Sequence, residues 1–421
     1  MKLNYKRTFL IGLAFMSISA FWQLYDNAIP LMLKNTFGVT DDISGYIMAA
    51  DNVLAVFLLP LFGALSDKVR SRFGKRIPFI FIGSCVAAAL MLLVPVANTI
   101  RNLLLFIIVV GLLLLVMASY RSPAVALMPD VTPKPLRSKA NAVINLMGTL
   151  GGIVSFLLIA VFVKNKELGG YAYVYAIVAA FMVAAAVILV LTIKENKLVA
   201  QMPPEPAEVE ESGEKKPMPK EVKKSLIFLL LSVSLWFMAY NAVSTAYSRY
   251  VDAVWDKGQD AGSIMMIIAM LVAAVAFIPV GHLSSRFGRK KVILGGIILL
   301  AAAFALGSFF PNYGITSYII MCTVGIGWAS INVNSYPMVV EMSKGCDVGK
   351  YTGLYYTFSM SAQILTPILS GYLFRFLPWG YKVMFPYALA FSVLAFITMM
   401  MVRHGDNRPK SLEDLDIEVD G

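Results

Sequence analysis

The sequence predicts an all-α membrane protein with twelve transmembrane helices in two parallel six-helix repeats. This prediction rests on an apolar composition, twelve long apolar stretches, and a basic loop that recurs in both halves. Of the 421 residues, 58% are hydrophobic and 14% are charged, and the mean hydropathy is +0.73. Because a soluble domain is about one quarter charged, the low charge content indicates contact with lipid.

Each apolar stretch has the roughly 20 residues that a spanning helix needs. The twelve stretches lie near 8–31, 43–66, 77–97, 102–127, 139–163, 171–193, 225–249, 261–284, 292–310, 315–341, 350–375 and 380–402.

The basic residues are distributed unevenly between the loops. We assign both termini and the loops that follow the second, fourth, sixth, eighth and tenth stretches to one side. That side receives 27 of the 36 lysines and arginines, and the other side receives eight. Because positive charge stays in the cytoplasm, this split predicts a multi-pass protein of the plasma (cell inner) membrane with both termini cytoplasmic. Topology thereby accounts for the net charge of +11, and no nucleic-acid partner is expected.

One polar segment divides the apolar stretches six and six. Residues 194–224 are rich in proline, glutamate and lysine, and their apolar content is too low for a folded core. We therefore predict an N-terminal bundle over 1–193, a cytoplasmic linker over 194–224, a C-terminal bundle over 225–402 and a cytoplasmic tail over 403–421.

The two halves repeat each other in sequence. The segment from Trp22 to Asn27 matches the segment from Trp236 to Asn241 at an offset of 214 residues, and Asp130 matches Glu341 at an offset of 211. Matches in the same order at nearly one spacing indicate parallel repeats related by an axis along the membrane normal. Such repeats place a cavity between the bundles near the bilayer midplane.

The loops after the second and eighth stretches combine glycines with charged residues. The first runs from Gly63 to Arg76 and the second from Gly281 to Lys291. Acid–base pairs at these loops are suited to a two-state element that holds one conformation and releases it in another. The predicted cytoplasmic gate comprises Asp67, Arg72, Arg76, Asp130, Arg289 and Glu341. The alternative is that these loops only fix topology.

The first of these loops resembles the pattern of the major facilitator superfamily, G-x-x-x-D-R/K-x-G-R/K. The longer run from Ser66 to Ile80, together with the run from Tyr120 to Asp130, resembles the sucrose–proton symporters and their bacterial relatives, grouped with glycoside–pentoside–hexuronide:cation symporters. The resemblance implies the major facilitator fold and symport of a sugar. Plant members of that branch carry an acid in the middle of the fourth helix, where this chain has leucines from Leu112 to Leu115.

Two acids within the apolar stretches are candidates for proton coupling. Asp26 and Asp51 lie at similar depths in the first and second stretches. A charged group near the bilayer centre costs at least about 2.5–3.5 kcal/mol, which favours a functional role. Alternatively, either acid caps backbone or pairs with Arg121 or Arg249.

Polar and aromatic side chains on particular helix faces predict the substrate site. Carboxamides offer paired donors and acceptors to sugar hydroxyls, and aromatic rings cover the apolar face of a pyranose. The candidate substrate-binding residues are Trp22, Gln23, Asn27, Trp236, Tyr240, Asn241, Trp328, Asn332, Tyr356 and Gln363. Interfacial anchoring for the tryptophans and interhelical hydrogen bonds for the asparagines are the alternatives.

The combined features predict a secondary active transporter that moves a small neutral glycoside, with a disaccharide expected, into the cytoplasm with protons by alternating access. Sodium coupling and a multidrug exporter of the same fold are the alternatives, and a non-transporting sensor is a third. The sequence has no phosphate-binding Gly-Lys-Ser/Thr loop and only two histidines. We therefore expect no enzymatic activity, cofactor or metal site, and a monomer in the lipid bilayer.

Overall fold

The computed structural model describes residues 3–39, 41–162, 169–202, 218–309, 313–343 and 348–406. A few side chains inside helices, that of Asp51 among them, lie outside the described set. Over these ranges the chain forms thirteen α-helices, two 3-10 helices and no strand. Twelve of the α-helices are long, and the short one is α7.

The helices follow one another in the order that the sequence predicts. Their bounds are α1 Tyr5–Phe37, α2 Asp41–Lys68, α3 Ile77–Ile100, α4 Leu103–Asp130, α5 Arg137–Phe162, α6 Gly169–Thr192, α7 Glu195–Ala200, α8 Lys220–Trp255, α9 Gly258–Phe287, α10 Arg289–Phe309, α11 Ile315–Glu341, α12 Val348–Phe376 and α13 Met384–Met400. The all-α fold class is confirmed.

Ten of these helices are long and apolar enough to cross a membrane when the described residues are considered. Large apolar side chains stand exposed on their outer faces, including Phe57, Leu104 and Val275, which are 71%, 71% and 76% exposed. In water this exposure would be unfavourable, but lipid tails are as apolar as these side chains.

Local signals set the helix ends beyond the apolar stretches. The side chain of Asn4 accepts a hydrogen bond from the Arg7 N–H at 3.0 Å, and Asn102 accepts one from Leu105 at 3.0 Å. Such N-caps satisfy donors that have no partner inside the helix. Gly38, at φ 67°, ends α1 in the left-handed conformation that glycine adopts readily.

The contacts divide the chain into two compact units. The first unit comprises Met1–Thr132, Val143–Pro203 and Gly345–Thr357. Within it α3 packs on α4 and α6, α1 packs on α6, and α2 packs on α4. The body of α5 lies against α1, where a Cβ on Gly151 would overlap the Met16 carbonyl and the Ser155 hydroxyl donates to the Ala20 carbonyl at 2.6 Å.

The second unit comprises Pro133–Ala142, Pro204–Lys344 and Phe358–Gly421. Within it α11 packs on α10 and α9, and α13 packs on α8 and α10. The division differs from the predicted bundle boundaries at two short segments. The start of α5 belongs to the second unit, and the start of α12 belongs to the first.

The predicted linker also differs in its described parts. It contains the short helix α7, and α8 begins at Lys220 rather than near residue 225. Glu195, at the start of α7, is only 1% exposed. The composition of 194–224 predicts a solvated segment, but this acid is buried because backbone N–H groups of the first unit bind it.

Candidate functional site

The first charged site lies where α2 and α4 end and α3 begins. We name it the Arg76 cluster, and it comprises Asp67, Lys75, Arg76, Asp130 and Glu195. The guanidinium of Arg76 is fully buried. It forms an ion pair with Asp67 and donates from Nε to Asp130 Oδ2 at 2.7 Å. Lys75 Nζ lies 3.2 Å from Asp130 Oδ1. Burial alone lowers the pKa of Arg76, but Asp130 and Asp67 outweigh it and raise that pKa above its ordinary value.

Glu195 holds the start of α3. Its carboxylate accepts backbone hydrogen bonds from Lys75 at 3.0 Å, Arg76 at 3.0 Å and Ile77 at 3.2 Å. An acid at a helix N-terminus satisfies free donors and meets the positive end of the helix dipole. Burial nevertheless raises the pKa of Glu195 above 4.5, although the three N–H groups oppose the shift.

Asp67 also binds the start of α12. Its two carboxylate oxygens accept from the backbone N–H of Gly349 at 3.0 Å and of Lys350 at 2.9 Å. Next to this contact, Gly63 on α2 and Gly349 meet backbone to backbone, so that a Cβ on either would overlap the other's carbonyl oxygen. Gly353, one turn further along α12, meets Pro60 in the same way. The absence of side chains at these positions allows the two helices to touch.

The second charged site lies where α5 and α10 begin and α11 ends. We name it the Arg289 cluster, and it comprises Lys134, Arg137, Ser138, Arg289, Glu341 and Asp406. Arg289 Nη1 donates to Glu341 Oε2 at 3.0 Å, and its Nε donates to Ser138 Oγ at 2.9 Å. Arg137 reaches the same Glu341 oxygen at 3.4 Å. Asp406 accepts from the Arg289 N–H at 2.7 Å, which is the place that Glu195 takes at α3.

Of the six predicted gate residues, Arg72 lies apart from both clusters. It is exposed, and its guanidinium stands 4.8 Å from the ring centroid of Phe73. Asp67, Arg76 and Asp130 come together in the first unit, and Arg289 meets Glu341 in the second. The role of these residues as a gate stays a prediction.

Within the first unit, side chains of α1 and α12 contact Arg121, a cation on α4. The guanidinium of Arg121 lies 5.2 Å from the ring centroid of Trp22 and 5.1 Å from that of Tyr356. The buried Nε of Arg121 and Nε1 of Trp22 have no hydrogen-bond partner. These side chains adjoin a small cavity lined by Trp22, Leu54, Ala55, Leu59, Leu114, Ala118 and Arg121.

The other candidates on α1 and α2 take different positions. Gln23 is half-buried, and Asn27 donates to its carbonyl oxygen at 2.7 Å. Asp26 is exposed. The side chain of Asp51 lies outside the described residues, and the assignment of proton coupling to Asp26 or Asp51 stays a prediction.

In the second unit, aromatic and amide side chains of α8 and α11 form a second candidate site. The rings of Tyr240 and Trp328 stack with centroids 3.8 Å apart, and Phe237 packs edge-on against Trp328 at 5.1 Å. Nδ2 of Asn241 and Nε1 of Trp236 are buried without a hydrogen-bond partner.

The structure limits what three of these candidates can offer to a ligand. Trp236 is fully buried, which places it within the helix packing. Tyr240 and Trp328 cover one face of each other, so at most one face of each ring could contact a ligand. Asn332 and Gln363 are half-buried, and the Asn332 carbonyl accepts from Asn141 at 3.1 Å.

A stripe of polar side chains on α12, formed by Thr352, Ser359, Thr366 and Ser370, is buried. The hydroxyls of Thr352 and Thr366 donate to carbonyls one turn earlier at 2.7 and 2.6 Å, and both residues are 0% exposed. Ser359 and Ser370 are also buried. The stripe therefore lies in the protein interior rather than against lipid, as the cost of exposing polar groups to lipid requires.

Arg121, Glu195 and Asp406 are among the residues of these sites that sequence reasoning missed. Arg121 was considered only as a structural partner, although an arginine inside a spanning helix is itself a functional signal. Glu195 and Asp406 follow the sixth and twelfth long helices at an offset of 211 residues, equal to that between Asp130 and Glu341. The repeat offset was the signal that would have identified them.

The helices with their exposed apolar faces are those of a multi-pass membrane protein. Residues 10–342 match the family model described as MFS/sugar transport protein. The chain therefore belongs to the major facilitator superfamily, in its sugar-transport branch, and it is not an enzyme.

Individual relatives match over shorter segments. A sucrose transport protein of Arabidopsis thaliana is 29% identical over 140 residues, which is 29% of this chain and 24% of the relative. A bacillibactin exporter of Bacillus subtilis is 31% identical over 116 residues, which is 26% of this chain and 29% of the relative. The chain thus spans less than a third of the length of these curated relatives in the matches.

The whole fold matches solved transporters. The structure of a proton:xylose symporter, XylE, superposes with a TM-score of 0.70 at 14% identity and covers 99% of both chains. At this identity the likeness shows the fold alone.

Proposed function

We propose that this protein imports a small neutral glycoside, with a disaccharide as the expected size, together with protons. It does so from the plasma membrane, as a monomer with both termini in the cytoplasm and by alternating access. The match to the sugar-transport family over residues 10–342 carries this proposal.

The aromatic and amide groups of the second unit support a sugar as the cargo. One face of the Tyr240–Trp328 stack suits the apolar face of a pyranose. The partnerless Nδ2 of Asn241 is a donor for a sugar hydroxyl. A buried amide without a partner costs free energy, so a ligand that accepts from it is stabilised.

Proton coupling is assigned to Asp26 or Asp51, the acids that the sequence places within the membrane. The name of the xylose symporter of the same fold includes the proton, which agrees with this choice. Sodium remains the alternative ion because carboxylates bind either.

The cytoplasmic gate is assigned to the two charge clusters. In the first unit, opening α2 from α12 breaks the hydrogen bonds from Gly349 and Lys350 to Asp67. In the second unit, Arg137 and Ser138 at the start of α5 must leave Glu341 and Arg289. Both sets of contacts consist of discrete hydrogen bonds, as expected of an element with two states.

Uptake into proteoliposomes tests the proposal. We expect accumulation of a labelled glycoside from a sugar panel when the outside is acidic, positive inward current, and loss of both when the proton gradient is collapsed. Asp26→Asn and Asp51→Asn are measured in parallel, with Asp252→Asn on α8 as a control of matched chemistry. Full proton coupling in both test variants would exclude these acids, and uptake that follows sodium instead would select the other ion.

A second function is favoured by one observation, the similarity to an exporter over part of the chain. An exporter moves cargo out of the cytoplasm by proton exchange. Reversing the pH gradient in the same vesicles separates the two functions, because symport and exchange respond with opposite directions of sugar or drug flux.

A further inference from the structure

Prolines inside two of the long helices leave a backbone carbonyl without its usual donor. An α-helix pairs each N–H with the carbonyl four residues earlier, and proline has no N–H. Pro60 lies inside α2 and Pro337 lies inside α11. The carbonyls that lose their helical donor are therefore those of Val56 and Val333. A carbonyl without a donor is costly inside a membrane, so each of them needs a donor from outside its own helix.

A threonine of α12 supplies that donor in the first unit. Thr357 Oγ1 donates to the Val56 carbonyl at 3.1 Å. The same hydroxyl lies 3.1 Å from the carbonyl of Gly353, one turn earlier in its own helix. The helices approach closely here, because a Cβ on Gly353 would overlap the backbone of Pro60. The bond from Thr357 therefore joins a helix from the first half of the sequence to one from the second half.

An asparagine of α5 supplies the donor in the second unit. Asn141 Nδ2 donates to the Val333 carbonyl at 2.9 Å, and it also lies 3.1 Å from the Asn332 carbonyl. Asn141 is 5% exposed and Val333 is fully buried, so water is largely kept from this contact. Here, too, the donor and the acceptor come from different halves of the sequence.

We propose that Thr357 and Asn141 are positioning residues of the transport cycle, which hold the starts of α12 and α5 against α2 and α11 by binding the carbonyls that Pro60 and Pro337 leave free. Each bond exists only while the two helices touch, and separation of the helices exposes the carbonyl to water. This inference rests on the proposed alternating access and adds to it two backbone groups on which the closed cytoplasmic ends depend.

The freed carbonyls lie deeper in the membrane than the two charge clusters. Val56 lies 12 residues before the end of α2 at Lys68, and Val333 lies eight residues before the end of α11 at Glu341. These separations are about 18 and 12 Å at 1.5 Å per residue. Because water is scarcer at this depth, a carbonyl without a donor costs more there than at the helix ends.

The threonine contact has two available states. When α12 leaves α2, the hydroxyl keeps the Gly353 carbonyl as its acceptor, as a threonine in a helix can, and the Val56 carbonyl is left to water. The change thus costs one protein hydrogen bond, about 1 kcal/mol or about fivefold in an equilibrium. A contact of this size biases the populations of two conformations without abolishing either.

A double-variant cycle tests the contact on the purified full-length protein in lipid nanodiscs. Thr357→Val removes the donor and keeps nearly the same shape. Pro60→Ala restores the missing N–H, so that the Val56 carbonyl is bound within α2 itself. The measurement is amide hydrogen exchange at the first turns of α12 and of α5, which reports how often these helix starts open. No transported sugar is needed.

We expect Thr357→Val to raise exchange about fivefold at both helix starts, because one transition separates both. A merely structural loss would raise exchange throughout the molecule. In the Pro60→Ala background the same substitution has no effect, since the carbonyl already has a donor. Thr357→Ser keeps the hydroxyl and exchanges as the wild type does.

The second contact is tested independently by Asn141→Leu with and without Pro337→Ala. We expect Asn141→Leu to raise exchange at the same two helix starts by at least about fivefold, the value of one hydrogen bond. Pro337→Ala reduces this effect, and the contact with the Asn332 carbonyl accounts for the part that remains.

Two matched variants serve as controls. Thr149→Val removes a hydroxyl that donates to the Asn145 carbonyl of its own helix, and it leaves exchange at both helix starts unchanged. Pro279 lies in α9, the helix that matches α2 in the second half. In the Pro279→Ala background, Thr357→Val keeps its effect of about fivefold, the value of one hydrogen bond.

Unchanged exchange in Thr357→Val overturns the proposal, and so does a rise that is equal throughout the molecule. An equal effect with proline and with alanine at position 60 overturns it as well, because the freed carbonyl would not be the target. If Pro60→Ala does not fold, the Asn141 cycle decides in the same way. Uptake is judged separately: a protein that imports no sugar of the panel but shows both couplings loses the proposed function and keeps these two contacts.

Discussion

In the first unit, Asp67 reaches the start of α12 and accepts two backbone N–H groups, whereas Ser285 stands at the matching position of the second half. The Ser285 hydroxyl donates to the Gly281 carbonyl of its own helix at 3.2 Å. The start of α5 is held instead by side chains, because Arg137 binds Glu341 and Ser138 binds Arg289. In the first half, an acid therefore binds the backbone N–H groups at the start of a helix. In the second half, the start of the matching helix is bound through side chains, including an ion pair.

The two charge clusters also differ in their numbers of acidic and basic side chains. The Arg76 cluster combines three acids with two bases, and the Arg289 cluster combines two acids with three bases. Removal of the central arginine therefore has unequal consequences. In the first cluster, three buried or half-buried acids are left with one lysine, while in the second, Arg137 and Lys134 remain beside Glu341.

The largest expected effect comes from Arg76→Gln. Breaking a buried ion pair by removing one partner costs about 3–5 kcal/mol, since Asp67 and Asp130 lose the cation that both contact. The matched variant Arg289→Gln is expected to cost clearly less. Thermal unfolding in detergent measures both, and equal losses of stability would contradict the comparison.

A smaller effect is expected from Gly349→Ala. The new Cβ would overlap the Gly63 carbonyl, and such overpacking costs about 1–3 kcal/mol, here by separating α2 from α12. Hydrogen exchange at the start of α12 is expected to accelerate.

Gly281→Ala is the matched control for that variant. Its new Cβ meets the Ala142 Cβ at 2.9 Å, a side chain rather than a carbonyl. We expect a weaker change in exchange at the start of α5, and a stronger one would reverse the ranking of the two contacts.

Asp67 and Ser285 occupy matching positions in the two halves, so exchanging their side chains tests the comparison directly. Asp67→Ser is expected to cost the roughly 0.5–2 kcal/mol of a lost helix cap and a further amount, because one of the two carboxylates that contact the buried Arg76 guanidinium is lost. Ser285 lies one turn after Gly281, which packs against Lys139 and Ala142 of α5, so Ser285→Asp is expected to gain about 0.3–1 kcal/mol by bringing an acid toward the first turns of that helix. Unfolding midpoints of the single and double variants measure both effects, and a loss of stability in Ser285→Asp would show that the halves are not interchangeable here.

The smallest expected effect concerns pH at Glu195. Because burial raises its pKa above 4.5, the folded protein binds this proton more tightly than the unfolded chain, and stability falls as pH rises through the interval between the two pKa values. Glu195→Gln lacks this component, so its stability relative to wild type is expected to rise with pH across that interval and then level off. A pH series of unfolding midpoints measures the difference, and a difference that stays constant would contradict the raised pKa.

The sequence predicted the helices because a spanning helix needs its own length of apolar residues. It also grouped Arg76 with Asp130 in one gate because acid and base recur in both halves, but it did not separate Arg76 from Arg72. Glu195 was missed because its surroundings are rich in charge and proline, and only the folded turn at Gly74 turns three N–H groups toward it. The stacking of Tyr240 on Trp328 could not be predicted either. Hydrophobic periodicity shows which residues share a face of one helix, but it does not show which faces of two helices meet.

The contact between Gly63 and Gly349 has a consequence for how this sequence can vary. Each position is closed to a side chain by the carbonyl oxygen of the other, although one lies in the first half of the chain and the other in the second. A substitution at either is therefore tolerated only if α2 and α12 shift apart, so the two positions should be inherited together among relatives that keep this helix contact.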